Sequence, residues 1–113
     1  MDGKPTRYFS DKQEKAIAKA LFGHQVGGSG ASVFQKGDVS LKNVLIEAKT
    51  SITEKASYSV KKDVLDKIHK ESRSMRKLFA VLAFNFGPNT DNYYVIDEDT
   101  MKFLVAKIDE EYK

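Results

Sequence analysis

Three charged side chains stand within a short, largely apolar stretch, GDVSLKNVLIEAKTS. They are Asp38, Glu47 and Lys49, so that an aspartate precedes a Glu-x-Lys triplet. Two carboxylates can hold Mg²⁺, which polarises a phosphoryl oxygen and lowers the pKa of a bound water. A lysine beside them can orient that water or offset the charge that develops on the phosphate. These residue types at this spacing therefore suit phosphodiester hydrolysis.

The segment VLIEAK must be a strand for this chemistry to work, and its pattern predicts one. Side chains alternate along a strand, so Glu47 and Lys49 are expected on one face and Ala48 on the other. Apolar residues stand on both faces, which is typical of a strand that is covered on each side. A carboxylate there is costly unless it is paired or binds something. A salt bridge from Glu47 to Lys49 or Lys42 is the alternative, because Glu-x-Lys triplets are common by chance.

The position of Asp38 favours the chemical interpretation. Gly37 precedes it and allows a sharp entry into the strand. We predict a short hairpin that turns at Lys42-Asn43, which would bring Asp38 close to Glu47.

The remaining elements can be read from capping and periodicity. A capping box from Ser10 to Gln13 predicts a first helix that ends near Phe22. A Gly/Ser loop follows, and a second helix is expected from Ser57 or Ser59 to about Arg76. Strands are predicted at LFAVLAFNF and YYVI, and a last helix near Asp97. The expected buried helix positions are Ile17, Ala20, Leu21, Val60, Val64, Leu65, Ile68, Met101, Leu104, Val105 and Ile108. The order α-β-β-α-β-β-α indicates an α/β fold with a small mixed sheet flanked by helices.

Composition narrows the class of protein. The chain has 113 residues, with 41% hydrophobic and 31% charged, so we expect one domain, 1–113. It contains no cysteine and two histidines, which leaves a hard cation held by carboxylates as the expected kind of metal site. No apolar run is long enough to span a bilayer, and MDGKPTRYF lacks the apolar core of a signal peptide. We therefore expect a cytoplasmic protein without membrane contact.

Taken in order, four pieces of the sequence resemble the Holliday junction resolvases of the archaeal and phage type, which belong to the PD-(D/E)xK nuclease superfamily. These pieces are DKQEKAIAKAL with Glu14, the loop GGSGAS, the Gly37-Asp38 and Glu47-Ala48-Lys49 pair, and SYSVKKDVLDKI. They cover residues 10 to 70. Gly37 stands where the superfamily name has proline, and Ala48 stands where many members have cysteine.

The resemblance implies a restriction-endonuclease-like core and a set of roles. Asp38 and Glu47 would bind Mg²⁺, for which Mn²⁺ is expected to substitute, and Glu14 would add a third acidic group. Lys49 would position the attacking water, and Lys61 would reach the scissile phosphate. The residues expected on the DNA backbone are Gly28, Ser29, Gly30, Lys36 and Lys62. Read without the resemblance, Glu14 is an exposed helix residue, the loop is a linker and the lysines form a solvated helix face.

The function implied is a metal-dependent endonuclease that resolves four-way DNA junctions by paired symmetric nicks. The resemblance also implies a homodimer, since a symmetric junction needs two matched cuts. A nuclease of the same superfamily for other branched or damaged DNA is one alternative. A DNA-binding module without catalysis and a basic structural protein with a chance motif are the others.

Overall fold

The computed structural model describes residues 6–26 and 37–113. Its elements in chain order are α1 (Thr6–Leu21), β1 (His24–Gln25), β2 (Val39–Ser40), β3 (Val44–Lys49), α2 (Lys62–Ser74), β4 (Phe79–Phe84), β5 (Tyr93–Val95) and α3 (Glu98–Glu111). The strands form one sheet in the order β1-β2-β3-β4-β5, in which only β3 and β4 run parallel. The predicted mixed α/β fold is thus confirmed, with one more strand than the sequence indicated. That strand, β1, has two residues, too few to show a period.

The central strand β3 is covered on both faces, as its sequence predicts. Ile46 and Ala48 pack with Ile17 of α1 in one buried cluster. Leu45 packs with Ile68 of α2 and with a buried alanine of β4 in the other. Burying a side chain such as leucine or isoleucine stabilises a fold by about 1.5–3 kcal/mol. The two clusters therefore fix β3 between α1 and α2.

The first helix begins earlier than the capping box predicted. It starts at Thr6, so Ser10 lies within the helix and is not its N-cap. Gln13 is buried and donates a hydrogen bond to the main-chain oxygen of Lys49, so it does not cap Ser10. Ala20 is exposed rather than buried. The tertiary bond to β3 has replaced the local one.

The second helix begins later than predicted, at Lys62. Its N-cap residue is Lys61, which makes no side-chain capping bond, so neither Ser57 nor Ser59 caps it. The preceding segment is held by the sheet instead: Tyr58 stacks on Phe84 with ring centroids 4.4 Å apart. Val60, which was expected on the buried face of this helix, precedes the helix and is 45% exposed.

The last helix begins where predicted but does not bury its apolar side chains. Asp97 is its N-cap, and its carboxylate accepts a hydrogen bond from Thr100 N at 2.8 Å. The four residues expected in the core are all exposed, namely Met101, Leu104, Val105 and Ile108. Of the α3 side chains, Phe103 packs on Phe79 of β4. The helix thus touches the sheet near its start and leaves one apolar stripe uncovered. No helix within the described ranges is long and apolar enough to cross a membrane.

Candidate active site

The β2–β3 hairpin brings Asp38 beside Glu47. Gly37 has a φ of 78°, which glycine adopts readily, and a Cβ atom there would lie 2.7 Å from Leu45 Cδ1. Val39 pairs with Ile46, so the next residue outward, Asp38, lies opposite Glu47. The Asp38 carboxylate accepts a hydrogen bond from the Ala48 N–H at 2.8 Å. This bond fixes the aspartate side chain against the outgoing end of β3.

Two lysines flank the Glu47 carboxylate, which belongs to a side chain that is only 10% exposed. Lys49 Nζ lies 3.4 Å from Glu47 Oε2, and Lys67 Nζ of α2 lies 3.9 Å from Oε1. Lys67 also lies 3.6 Å from Glu71. The pair of Glu47 with Lys49 that the sequence left open is therefore formed, and Lys67 supplies a second positive charge. A buried carboxylate needs such partners, because an unpaired buried charge is strongly destabilising.

Burial and mutual repulsion act on the carboxylates of this site. Burial raises the pKa of Asp38, against the hydrogen bond from Ala48. Burial also raises the pKa of Glu47, with a further contribution from the negative charge of Asp38, while Lys67 and Lys49 oppose the shift. A bound cation would relieve both effects, because it favours the charged form of each carboxylate.

Glu14 takes part in the same electrostatic network from α1. Burial raises its pKa, the hydrogen bond from Gln25 lowers it, and the charges of Asp38 and Glu47 are among those that raise it. Gln25 Nε2 donates to Glu14 Oε1 at 3.0 Å and to Asp11 Oδ1 at 2.8 Å. The two-residue strand β1 therefore has a role: it positions the amide that holds Glu14 at the edge of the site.

The other predicted residues are placed as follows. Lys61 is exposed, and within the described ranges no ion pair or hydrogen bond links its side chain to Asp38 or Glu47. Lys62 forms an exposed ion pair with Asp66 at 2.9 Å on the same helix. The predicted DNA contacts Gly28, Ser29, Gly30 and Lys36 lie outside the described residues.

Sequence reasoning missed three residues near the site. Lys67 was assigned to the solvated face of α2, although it lies one turn after Val64 and one turn before Glu71, at the margin of the buried stripe. Tyr58 is close enough to Lys49 and Glu47 for their charges to act on its pKa, which burial raises. Gln13 was assigned to a cap. No local pattern identifies Gln13 or Tyr58, because their partners lie far away in the chain.

The donor set fits a hydrated divalent cation better than an enclosed metal centre. Across residues 6–26 and 37–113, no three Asp, Glu or His side chains are grouped closely enough to hold a metal ion by themselves. Mg²⁺ commonly uses one or two carboxylates and keeps several waters or substrate phosphate oxygens. Asp38 and Glu47 are two carboxylates of the kind that such a hydrated Mg²⁺ ion uses. Glu14 acts on them electrostatically.

No protein-family model, curated protein or solved structure matched this chain in the comparisons made.

Proposed function

We propose that this protein is a Mg²⁺-dependent endonuclease that cuts DNA phosphodiester bonds, with four-way junctions as its favoured substrate. The observation that carries the proposal is the pairing of two desolvated carboxylates, Asp38 and Glu47, beside Lys49 at the end of a strand covered on both faces. Such a group is costly to the fold, and binding of a cation and a phosphate would offset the cost.

Each residue then has a distinct task. Asp38 and Glu47 would hold the metal, which supplies Lewis-acid polarisation of the phosphate and an activated water. Lys49, whose side chain is 43% exposed, can reach the attacking water or the phosphate. Lys67 balances the charge of Glu47 before the metal binds. Glu14 adds negative potential, which raises the local concentration of cations at the site.

The restriction-endonuclease-like topology is part of this proposal. It is supported by a parallel central pair, β3 and β4, with an antiparallel hairpin before it and helices against both faces. The ordered sequence motifs that resemble the resolvases support it independently. Fold alone does not specify the reaction, so the proposed nuclease activity rests on the residues of the site.

The substrate and the assembly follow from size and surface. The formal net charge of +3 favours a polyanionic partner weakly. Specific protein–DNA interfaces bury roughly 1,000–2,500 Å² of protein surface, which a 113-residue chain supplies more readily as two copies. The uncovered apolar stripe of α3 offers a surface on which two copies could associate. A homodimer in the cytoplasm, acting on DNA and not on membranes, completes the proposal.

Two other functions compete with the junction resolvase. A nuclease for other branched or damaged DNA would use the same residues, because the core motif says only that a phosphodiester bond is cut. A DNA-binding module without catalysis would keep the lysines but would not need the costly carboxylate pair.

A cleavage assay separates these functions. Strand-labelled four-way junctions and linear duplexes of the same sequence would be incubated with the protein, with Mg²⁺ or with EDTA. We expect paired symmetric nicks in the junction, dependence on the metal, and much slower cutting of the duplex. Equal cutting of both substrates would retain the nuclease and exclude the resolvase. Binding without any cutting would leave the non-catalytic module.

A further inference from the structure

A cavity of about 260 Å³ lies between one face of α1 and the loops that follow β3 and β4. The α1 wall consists of Phe9, Lys12, Gln13 and Ala16, which are spaced as one helix face. The volume is several times the roughly 30 Å³ that one water occupies in the liquid. It is somewhat smaller than the roughly 300–1,000 Å³ of pockets for drug-sized ligands. The space therefore suits a single small heterocycle.

Gln13 lines this cavity and has a buried side-chain oxygen without a partner among the described residues. The residue is only 5% exposed, and its Nε2 donates to Lys49 O at 2.8 Å and to Asn92 Oδ1 at 3.1 Å. Both amide hydrogens are thus used, while the buried Oε1 atom has no hydrogen-bond partner within residues 6–26 and 37–113. An unsatisfied buried acceptor costs about 1–3 kcal/mol. The Oε1 atom is itself out of contact with solvent, so a ligand in the cavity can offer it an N–H group only if the Gln13 side chain moves.

The opposite wall is polar but uncharged. It includes Thr50, Asn85 and Asn92, and none of the described residues that line the cavity carries a carboxylate. Asn85 Oδ1 accepts from the hydroxyl of Thr50 at 3.2 Å and from Gly87 N at 3.3 Å, so the loop after β4 is tied to the end of β3. This wall is therefore a fixed feature of the sheet end.

This lining excludes several classes of ligand. A divalent cation would lack carboxylate ligands. Among the described lining residues an anion would find one cation, Lys12, whose Nζ is already hydrogen-bonded to Asn89 Oδ1. A wholly apolar ligand would displace water from the polar side chains of Thr50, Asn85 and Asn92 without replacing the hydrogen bonds of that water. A flat, uncharged ring with N–H and carbonyl or ring-nitrogen groups fits all of these conditions, and Phe9 offers an aromatic surface beside it.

We propose that this cavity receives one nucleobase from the DNA strand that is cut. Amide side chains read the hydrogen-bonding edge of an unstacked base, and aromatic side chains stack on its face. Gln13 connects the cavity to the active site, because its amide binds the carbonyl of Lys49 directly. The inference rests on the proposed function for its choice of DNA as ligand. It adds that the protein holds an unstacked base next to the cleaved bond, which unpaired or distorted DNA supplies more easily than regular duplex does.

Filling the cavity tests the proposal without altering the carboxylates. Ala16 lines the cavity and is exposed on α1, and Ala20 is exposed one turn further along and does not line it. Ala16→Trp should block the cavity, while Ala20→Trp adds the same side chain elsewhere on the helix. The probes are an eight-nucleotide thymidine strand, an abasic strand of equal length, and free thymidine. All are added without divalent metal, so no cutting intervenes.

The readouts are the side-chain amide NMR signals of Gln13 and Asn92 and the dissociation constant of each strand. We expect the thymidine strand to shift both amide signals and to bind roughly tenfold more tightly than the abasic strand. Ala16→Trp should remove that difference, and Ala20→Trp should keep it. Unshifted amides, or equal binding of both strands by the unmodified protein, would overturn the inference. Shifts with free thymidine but not with the strand would also overturn it, because the cavity would then take free nucleosides.

These outcomes are separate from those of the cleavage assay. Junction cleavage without amide shifts would leave the nuclease in place and remove the base site. Amide shifts by the strand without any cleavage would support the base site and overturn the proposed nuclease.

Discussion

Replacing Lys67 by methionine tests the charge balance around Glu47. The Lys67 Nζ atom lies 3.9 Å from the Glu47 carboxylate. Two unit charges about 4 Å apart interact by about 4 kcal/mol at an effective dielectric constant of about 20. The Lys67 side chain is 59% exposed, and Lys49 remains as a second partner, so water and the remaining charge reduce the loss. We expect the unfolding free energy to fall by about 1.5 kcal/mol, between the values typical of exposed and buried pairs.

Urea and thermal unfolding at neutral pH measure this change, which corresponds to about 6 °C in Tm for a chain of this size. Lys62→Met is the matched control, because it breaks an exposed ion pair with Asp66 on the same helix. It should cost much less, because exposed ion pairs contribute little to stability. The positive charge of Lys67 lowers the pKa of Glu47, so its removal should raise that pKa further, which a carboxyl NMR titration can follow.

The pH dependence of the loss separates the charge of Lys67 from the packing of its stem. At about pH 3.5, below the ordinary pKa of glutamate, Glu47 is protonated and no longer attracts Lys67 as a carboxylate. The part of the destabilisation by Lys67→Met that comes from the Glu47 ion pair should then disappear, so the loss should be clearly smaller than at neutral pH. An equal loss at pH 3.5 and at neutral pH would show that packing of the lysine stem, and not its charge, is responsible. An unchanged pKa of Glu47 would contradict the geometry.

Three other outcomes are expected. The pKa of Asp38 is raised in the folded state, so ionising this carboxyl group costs stability as the pH rises above about 3.8. Asp38→Asn removes that cost and should become stabilising relative to the unmodified protein over the same pH range. Matched urea unfolding series of the two proteins measure this difference. Mg²⁺ at a hundred times its Kd should stabilise the unmodified protein by about 2.7 kcal/mol and Asp38→Asn by much less, as thermal melts would show. Ile108→Lys on the apolar stripe of α3 should convert a dimer to monomers in sedimentation without lowering Tm of the monomer, whereas unchanged sedimentation of a dimer would place the interface elsewhere.

The sequence predicted the parts of the fold that depend on local pattern. Alternation identified β3 and its two covered faces, and the position of Gly37 indicated the tight entry that brings Asp38 to Glu47. The caps of α1 and α2 were wrong, because tertiary contacts decided them. Gln13 bonds to β3 in place of Ser10, and the stacking of Tyr58 on Phe84 delays the start of α2.

The apolar stripe of α3 shows a different limit of sequence reasoning. Periodicity indicates that Leu104 and Ile108 share one face, but it does not say which surface covers that face. The same limit applies to Lys67 of α2, which periodicity alone placed with the solvated lysines. Its approach to Glu47 depends on how α2 is set against β3, which is determined by the packing of Leu45 and Ile68.

In the proposed nuclease, Asp38 and Glu47 hold the metal and Lys49 acts beside it. The single-turnover cleavage rate of a strand-labelled four-way junction with Mg²⁺ tests these roles directly, when it is measured with saturating protein for the unmodified chain and for Asp38→Asn, Glu47→Gln and Lys49→Ala. Lys70→Ala, an exposed lysine on α2, serves as the control for simple loss of charge. We predict that the three site variants lose cleavage by orders of magnitude while binding the junction as tightly as before or more tightly, and that Lys70→Ala cuts normally. Cleavage by Asp38→Asn or Glu47→Gln at close to the unmodified rate would show that these carboxylates do not hold the catalytic metal.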